Sequence, residues 1–476
     1  MGPFPQRHAW VWAVLPAGVA RVCVRRDPAL GEALQAAGFE LAEQAGADDP
    51  TLFALGSRSR SSDTVDAVLK AAGDGAVAVV IDRAPRRDGR TGAVRSAVAR
   101  LTSVLVALPT AIERRLLRRR LVRPGMRVGS VSMSDRGRSA YQLGGRLWRR
   151  GLAPVGSVAW TIPDGCETFV EAAVAEGSEA VGRPLTIREM TIVESGKILV
   201  ELEGGEAERW FLRIAGGSSA AYISSSLHAI GTITASDGPS VLRERLVQPL
   251  ADGRIGPTRY SLERKVAGRH PSKLSPALWE ECDEFLVELH RLGSDQGPGG
   301  FHEVTRRLDS DLELLGRVLG GTESSAIEAF AGRLAARLRG FPLGWEHGDF
   351  WTHNIITVDG RLRAVLDWDT ALAGSLPLLD LYDLISLPAG RRRQLHIGAR
   401  LERILLPLVR RGADERIRNY CDATGTPAVP DVLESVAAAY WVSRAARAVR
   451  EVPFRAGLDY WVDENVRSPL RALGRL

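Results

Sequence analysis

Residues 345–384 read WEHGDFWTHNIITVDGRLRAVLDWDTALAGSLPLLDLYDL. Three polar residues stand out against this apolar background: Asp349, Asn354 and Asp367. The segment IIT-VDG-RLRAVLDW reads as two short strands joined at Asp359-Gly360, because an Asp-Gly pair suits the left-handed positions of a tight hairpin turn. The hairpin folds the second strand back on the first. That brings Asp367 toward Asn354, with Asp349 at the front of the same pocket. Two carboxylates and an amide around a small space make a hard oxygen donor set with a base beside it.

Such a set is what magnesium-nucleotide phosphoryl transfer requires. The run His347-Gly348-Asp349-Phe350-Trp351-Thr352-His353-Asn354, followed by Leu366-Asp367-Trp368, resembles the catalytic and metal motifs of the aminoglycoside phosphotransferase and choline kinase-like family. These enzymes are small-molecule relatives of the protein kinases. Gly374, Pro377 and Asp380-Leu381 resemble the G-x-x-P-x-x-D-L tail that follows. The resemblance implies a two-lobed, protein-kinase-like α+β domain, ATP and Mg²⁺ as cofactors, and a small-molecule hydroxyl as substrate. It makes Asp349 the catalytic residue and Asn354 and Asp367 the metal ligands. His347 is expected to fix the loop by hydrogen bonding and Asp380 to brace it. Asp369 is expected either beside the metal or in a structural ion pair.

The chain of 476 residues is long enough for two or three domains. Its 45% apolar and 25% charged content is that of a soluble globular protein. The net charge is +6, and only four of the 63 basic residues are lysines. An Arg- and Ala-rich composition of this kind does not call for nucleic acid as a partner. The four cysteines are far apart and form no C-x-x-C pair, which speaks against a zinc site and a disulfide framework. A reducing cytoplasm is the simplest setting. The apolar run AWVWAVLPAGVA after Arg7-His8 leads straight into Arg21–Val24 and reads as a first strand rather than a signal peptide. No run reaches the roughly 18–20 apolar residues of a membrane span.

Residues 1–180 alternate strand-like and helix-like segments. Strands are expected at 10–15, 20–24, 51–55, 76–81, 126–133 and 155–162, and helices at 28–37, 62–72, 93–106, 111–121 and 138–150. Apolar runs such as AVAVVI suit parallel strands covered on both faces. The pattern predicts a Rossmann-like, doubly wound α/β domain. Its layout is similar to a class I methyltransferase, but no G-x-G-x-x-G follows an early strand, so a degenerate or partner-binding domain is expected. The run RRLLRRRLVR at Arg114–Arg123 reads as a solvated helix face, with weak contact to an anionic surface as its functional alternative.

Residues 184–267 read as the kinase-like small lobe, and 268–476 as the large helical lobe. Strands at 186–193, 197–203 and 209–215 resemble the start of a kinase small lobe. There Arg213 takes the place of the lysine that holds the nucleotide phosphates. Arginine grips phosphate bidentately and stays charged. Ser195, in the first turn, adds a hydroxyl over the phosphates, and adenine is expected against backbone near Glu263. Residues 218–236 contain no acid, so the helix glutamate that pairs with the cation in the family is missing. Glu244 is one alternative partner. Two more strands are expected in 241–266, with their turn at Ala251-Asp252-Gly253.

The helix expected over 277–292 carries an apolar stripe at Leu278, Trp279, Cys282, Phe285, Leu286 and Leu289. Helices at 304–319 and 325–338 follow. Between 389 and 476 there are 16 arginines and 10 acids. A cationic acceptor favours an acidic surface, so this region points to a neutral or anionic hydroxyl compound. The expected function is ATP- and Mg²⁺-dependent phosphorylation of a small-molecule hydroxyl. The alternative is a non-catalytic, nucleotide-binding scaffold.

Overall fold

The computed structural model describes Leu15, residues 21–25, 28–42, 51–56, 77–82, 126–134 and 154–163, and the chain from 167 to 474. Within that last span, 193–195, 206–207, 237, 239, 294–297, 322, 394, 413 and 452 are excepted. The chain divides into two compact units, Met1–Ile223 with Pro249–Lys265, and Ser224–Gln248 with Val266–Leu476.

The first unit holds two sheets. Strands β1 (Arg21–Arg25), β2 (Glu40–Leu41), β3 (Thr51–Gly56), β4 (Val77–Asp82), β5 (Met126–Ser134) and β6 (Pro154–Pro163) form a six-stranded sheet in the order β2-β1-β3-β4-β6-β5. Helix α1 (Pro28–Ala36) links β1 to β2. The β1/β2, β1/β3 and β3/β4 pairs are parallel, while β4/β6 and β5/β6 are antiparallel. The sheet is therefore mixed, where apolar runs alone suggested parallel strands. An apolar run records burial on both faces and carries no strand direction. The expected strand at 10–15 apart from Leu15, the helices at 62–72, 93–106, 111–121 and 138–150, and the Arg114–Arg123 run lie outside the described residues.

Helix α2 (Phe169–Val181) was not expected from the sequence, although it starts with a full capping box. Thr168 accepts the Glu171 N–H, and Glu171 returns the bond to the Thr168 N–H at 2.8 Å. Five antiparallel strands follow: β7 (Thr186–Ile192), β8 (Ile198–Glu203), β9 (Arg209–Gly216), β10 (Pro249–Ile255) and β11 (Thr258–Arg264), in the order β10-β11-β9-β8-β7. Phe169, Leu202, Leu212, Ile214 and Leu262 are buried in one core. The Ala251-Asp252-Gly253 turn is not formed. Those residues run inside β10, and the turn falls at Gly256-Pro257. Gly256 is left-handed at φ 54°, and proline cannot continue a ladder. Gly253 serves a different purpose. It faces Tyr260 across the pair, and a Cβ there would lie 2.8 Å from the ring.

The second unit is helical, with two small ribbons. It contains α3 (Ala220–Ala235, whose first turn belongs to the other unit), α4 (Ser240–Arg245), α5 (Pro276–Arg291), α6 (Pro298–Leu319) and α7 (Glu323–Leu338). Residues 241–245, expected as strand, are thus helical. The ribbons are β12 (Gly344–Glu346) with β15 (Leu372–Ser375), and β13 (Ile355–Val358) with β14 (Arg361–Val365). Then come α8 (Leu379–Arg393), α9 (397–410), α10 (Glu415–Thr424), α11 (Pro430–Glu451) and α12 (459–472). Helices α9 and α12 each contain one π-helical turn, at Leu401–Leu405 and Asp463–Arg467.

Helix α5 is the support for both ribbons. Of the stripe read from the sequence, Leu278, Cys282, Phe285, Leu286 and Leu289 are buried and Trp279 is half-buried. Glu281 on the same helix accepts the Leu362 N–H at 2.5 Å and pairs with Arg361, which pins β14. At the other end, His290 is 2% exposed against Gly344, where a Cβ would lie 2.1 Å from the His290 carbonyl oxygen. Only glycine allows that approach.

Burial pushes the His290 imidazole down from 6.5 to about 4. The folded state therefore prefers the neutral ring. Its stabilising contribution is complete above pH 6.5 and is lost as pH falls toward 4, where the unfolded chain binds the extra proton. A displacement of that size corresponds to about 3 kcal/mol. Relative to the wild type, His290→Met is expected to lose one proton's worth less stability between pH 7 and 4.5, read from urea midpoints. An equal loss in the variant would place the effect elsewhere.

Candidate active site

The loop 347–354 runs from β12 to β13, and 366–371 runs from β14 to β15. The two loops meet because the hairpin between β13 and β14 is tight. Its turn residues Asp359 and Gly360 are both left-handed, at φ 51° and 79°. Ile355 faces Val365 at the open end. One step further, Leu366 N–H donates to the Asn354 carbonyl at 2.8 Å. The next residue is Asp367, so the ladder itself delivers Asp367 beside Asn354.

Asn354 is held on its other side by Asp349. Its Nδ2 donates to the Asp349 carbonyl oxygen at 2.9 Å and to Asp349 Oδ2 at 2.8 Å. Both bonds of Nδ2 go to Asp349, so Oδ1 is the atom it can offer a cation. Asp367 is exposed and left-handed, φ 64° and ψ 62°. A left-handed aspartate is uncommon outside special sites. It turns the chain into the short helical turn Trp368–Thr370. Asp369, in that turn, is buried. Among the described residues no group of three His, Cys, Asp or Glu could hold a metal. A carboxylate and an amide oxygen are hard donors that fit Mg²⁺, which takes its other ligands from water and phosphate.

Beneath the loop lies an aromatic platform. His347 packs edge-on against Trp368, with ring centres 4.6 Å apart, and Phe350 stacks on Phe285 at 5.7 Å. The His347 ring reaches the Leu366 carbonyl from Nε2 at 2.9 Å, while Asp349 N–H donates to Nδ1. A carbonyl only accepts, so the proton sits on Nε2 and the ring is neutral. Burial likewise pushes this imidazole down to about 4. His353 is exposed, with its ring 4.4 Å from Trp351 and 6.0 Å from His270.

Asp380 receives the loop backbone. Its Oδ2 accepts His347 N–H at 2.6 Å and its Oδ1 accepts Gly348 N–H at 2.8 Å. Gly348 is left-handed at φ 84°, and a Cβ there would sit 2.5 Å from the Thr370 carbonyl oxygen. On its carbonyl side, Arg447 Nη1 donates to Gly348 O at 2.7 Å. The loop is thus gripped from α8 and from α11.

Behind it lies a buried ionic network. Arg444 Nη2 is 2.8 Å from Glu346 Oε1 and 2.7 Å from Asp383 Oδ2, with a second bond from Nε to Asp383 at 3.0 Å. Tyr440 donates to Asp383 Oδ1 at 2.7 Å, and Ser375 donates to Glu346. Burial alone would push the Glu346 carboxyl up, but Arg444, helped by Ser375, holds it below its usual range. Asp380 carries less compensation. Burial, then the charge of Glu346, pushes it up to about 8. Asp349 is also raised, first by burial and then by Asp383. An aspartate with a raised pKa is a stronger base than a free one.

In the other unit, Arg213 on β9 is 5% exposed. Its Nε donates to Ser261 Oγ and its Nη2 to Glu263 Oε2, both at 3.2 Å. Arg213 and Ser261 face one another in the β9/β11 register. A counter-charge for Arg213 therefore comes from the neighbouring strand, where the sequence reading looked for a helix glutamate. Glu244 has a different neighbour, Arg245, at 3.8 Å. Lys197, just before β8, is buried as well. Ser195 lies outside the described residues.

Sequence reading had not assigned Glu346, Asp383, Arg444 and Arg447 to the site. One signal for the two arginines was present: Tyr440, Arg444 and Arg447 recur at helical spacing within an Ala- and Val-rich helix. That pattern marks a helix face turned inward.

Residues 193–416 match the family model described as the phosphotransferase enzyme family. The resemblance carried by the motifs is thereby shown for that segment. No curated protein matches the chain. Solved structures with a partial likeness include the streptomycin–ATP complex of the aminoglycoside phosphotransferase APH(2″)-IIa, 17% identical, covering 63% of this chain and 96% of that one, TM-score 0.42. Another is a putative fructosamine-3-kinase from Haemophilus somnus 129PT, 11% identical, covering 64% and 96%, TM-score 0.43. A third is the ADP complex of APH(2″)-Ib, 16% identical, covering 63% and 98%, TM-score 0.39.

Proposed function

We propose that this protein is an ATP- and Mg²⁺-dependent phosphotransferase acting on a hydroxyl group of a small molecule. The observation that carries this reading is the Asp349–Asn354–Asp367 constellation, formed by the hairpin ladder within a segment that matches a phosphotransferase family. Asp349 accepts the proton of the acceptor hydroxyl and orients its oxygen for attack; its raised pKa suits that task. Asn354 Oδ1 and the Asp367 carboxylate hold the cation. When bound, ATP supplies the phosphoryl group and Mg²⁺ screens its charge. Arg213, with Glu263 beside it, grips phosphate. Asp380, Arg447 and His347 keep the loop backbone in shape.

The acceptor is a neutral or anionic hydroxyl compound. The helical segment from 389 onward is Arg-rich, and Arg447 reaches the catalytic loop itself. A polycation would be repelled there. A non-catalytic scaffold has less support, since the missing helix glutamate is replaced by Glu263 as a counter-charge. No helix among the described residues is long and apolar enough to cross a membrane, and we place the enzyme in the cytoplasm.

Millimolar ATP with Mg²⁺ is expected to raise the melting temperature, and EDTA to abolish the rise. ADP release is then measured against a panel of sugars, hydroxy acids, amino alcohols and nucleosides. Absence of any Mg²⁺-dependent stabilisation by ATP would remove the reading altogether.

A further inference from the structure

The helical unit contains a cavity of about 230 Å³ that the phosphoryl-transfer residues do not use. Its apolar wall is formed by Leu387, Leu395, Ile397, Ala448 and Trp461. Its polar lining is Arg400, Arg455, His396 and Asn465. No acid lines it.

Arg400 is the unusual member. It is 7% exposed, and its recorded hydrogen bond is a long one, Nη1 to the Tyr440 hydroxyl at 3.4 Å. Among the described residues no carboxylate lies within ion-pair distance of it. Arg444, equally buried, holds two carboxylates. A guanidinium taken out of water without a counter-charge is strongly unfavourable. Asp383, the acid beyond Tyr440, is already bonded to Arg444. The charge of Arg400 is therefore left to whatever fills the cavity. Arg455 adds a second guanidinium, anchored by a bond from Nη1 to the Ala448 carbonyl at 3.1 Å. His396 stands more exposed, 3.6 Å from Glu464.

The walls are built rather than incidental. The two π-helical turns flank the cavity, one directly after Arg400 and one carrying Asn465. Such turns widen a helix and recur at functional sites. Asn465 is fully buried and locks the walls together. Its Oδ1 accepts the Gly398 N–H at 3.2 Å, its Nδ2 donates to Trp461 O at 2.9 Å, and its carbonyl accepts Trp441 Nε1–H at 2.7 Å. A Cβ on Gly398 would lie 2.0 Å from the Glu464 carbonyl oxygen, so this packing requires glycine.

We propose that this cavity is a binding site for a small organic oxyanion, a carboxylate or phosphate monoester on an apolar body, with Arg400 as its charge partner and Arg455 beside it. The apolar wall holds the body and the arginines hold the charged end. The site is independent of the phosphotransferase reading, because its binding is measured without turnover.

The test uses the full chain and three probes of one shape: benzoate, phenyl phosphate and neutral benzyl alcohol. Calorimetry is expected to detect benzoate or phenyl phosphate but not benzyl alcohol, and which of the two binds separates carboxylate from phosphate. Binding is expected to weaken at least tenfold in Arg400→Met and in Ala448→Leu, and less in Arg455→Gln. Ala448→Leu narrows the wall without touching a charge, so it keeps the test alive if Arg400→Met fails to fold. It also separates this cavity from any phosphate site elsewhere. Equal binding of the alcohol, no binding of either anion, or anion binding unchanged in Ala448→Leu and the arginine variants that fold overturns the proposal.

Discussion

Replacing Asp349 by Asn is expected to lower turnover by roughly 10³-fold, within the 10²–10⁴ range of a positioned base, while the melting temperature holds or rises. The two halves of that result have one cause. The Asp349 carboxylate is half-buried near Asp383 and Asp367, and both its desolvation and their charges oppose its ionisation. An amide of the same shape removes that opposition. Loss of a charge that the fold resists should not unfold the chain, and such sites commonly gain stability as they lose activity. Asparagine still presents an oxygen to the Asn354 amide, so the loop keeps its geometry. ADP release and thermal denaturation of the same preparation separate the effects. Full turnover in the variant removes Asp349 from the chemistry. A large fall in melting temperature makes it a structural acid.

Arg444→Met is expected to have the opposite signature, a loss of about 3–5 kcal/mol in the helical unit. The guanidinium stands between Glu346 and Asp383, both nearly inaccessible to water. Their ionised forms depend on it: Glu346 is held below its usual range through Arg444, and Arg444 in turn is held up by Asp383 and Glu346 against its burial. Methionine keeps much of the volume but leaves two buried carboxylates without the guanidinium that balances their charge. Neutralising them as well, with Glu346→Gln and Asp383→Asn, is expected to recover a good part of the loss. That recovery distinguishes stranded charge from poor packing. Urea denaturation of the wild type and the two variants at pH 7 reads it directly; equal destabilisation of the single and triple variants would assign the effect to packing.

What could be read from the chain was local. The Asp359-Gly360 turn sets the hairpin, the ladder carries Asp367 to Asn354, and the stripe on α5 reports its buried face, each within one short stretch of chain. Strand direction in the first sheet was hidden because apolar runs look alike in parallel and antiparallel pairs. The β10–β11 turn was misread because Asp252-Gly253 has the composition of a turn, yet Gly253 serves the Tyr260 ring. The Arg213–Glu263 pair joins residues 50 apart across a sheet, a diagonal that no spacing rule announces. The Arg444–Asp383 pair spans 61 residues, and buried arginines are compositionally identical to exposed ones.

The grip of α11 on the catalytic loop also bears on the order in which the molecule is made. Arg447 and the Gly348 carbonyl it holds are 99 positions apart. A chain emerging from the ribosome therefore displays Asp349, Asn354 and Asp367 well before their brace exists. Until Arg444 arrives, Glu346 and Asp383 have no reason to leave water, and β12 with the start of α8 has little to gain by docking. At about 5–20 residues per second, that interval is on the order of 5–20 seconds. The motif on which the proposed chemistry rests is among the last parts of its own unit to become rigid, and a nascent chain halted before Pro430 would carry the residues of the candidate site without the site.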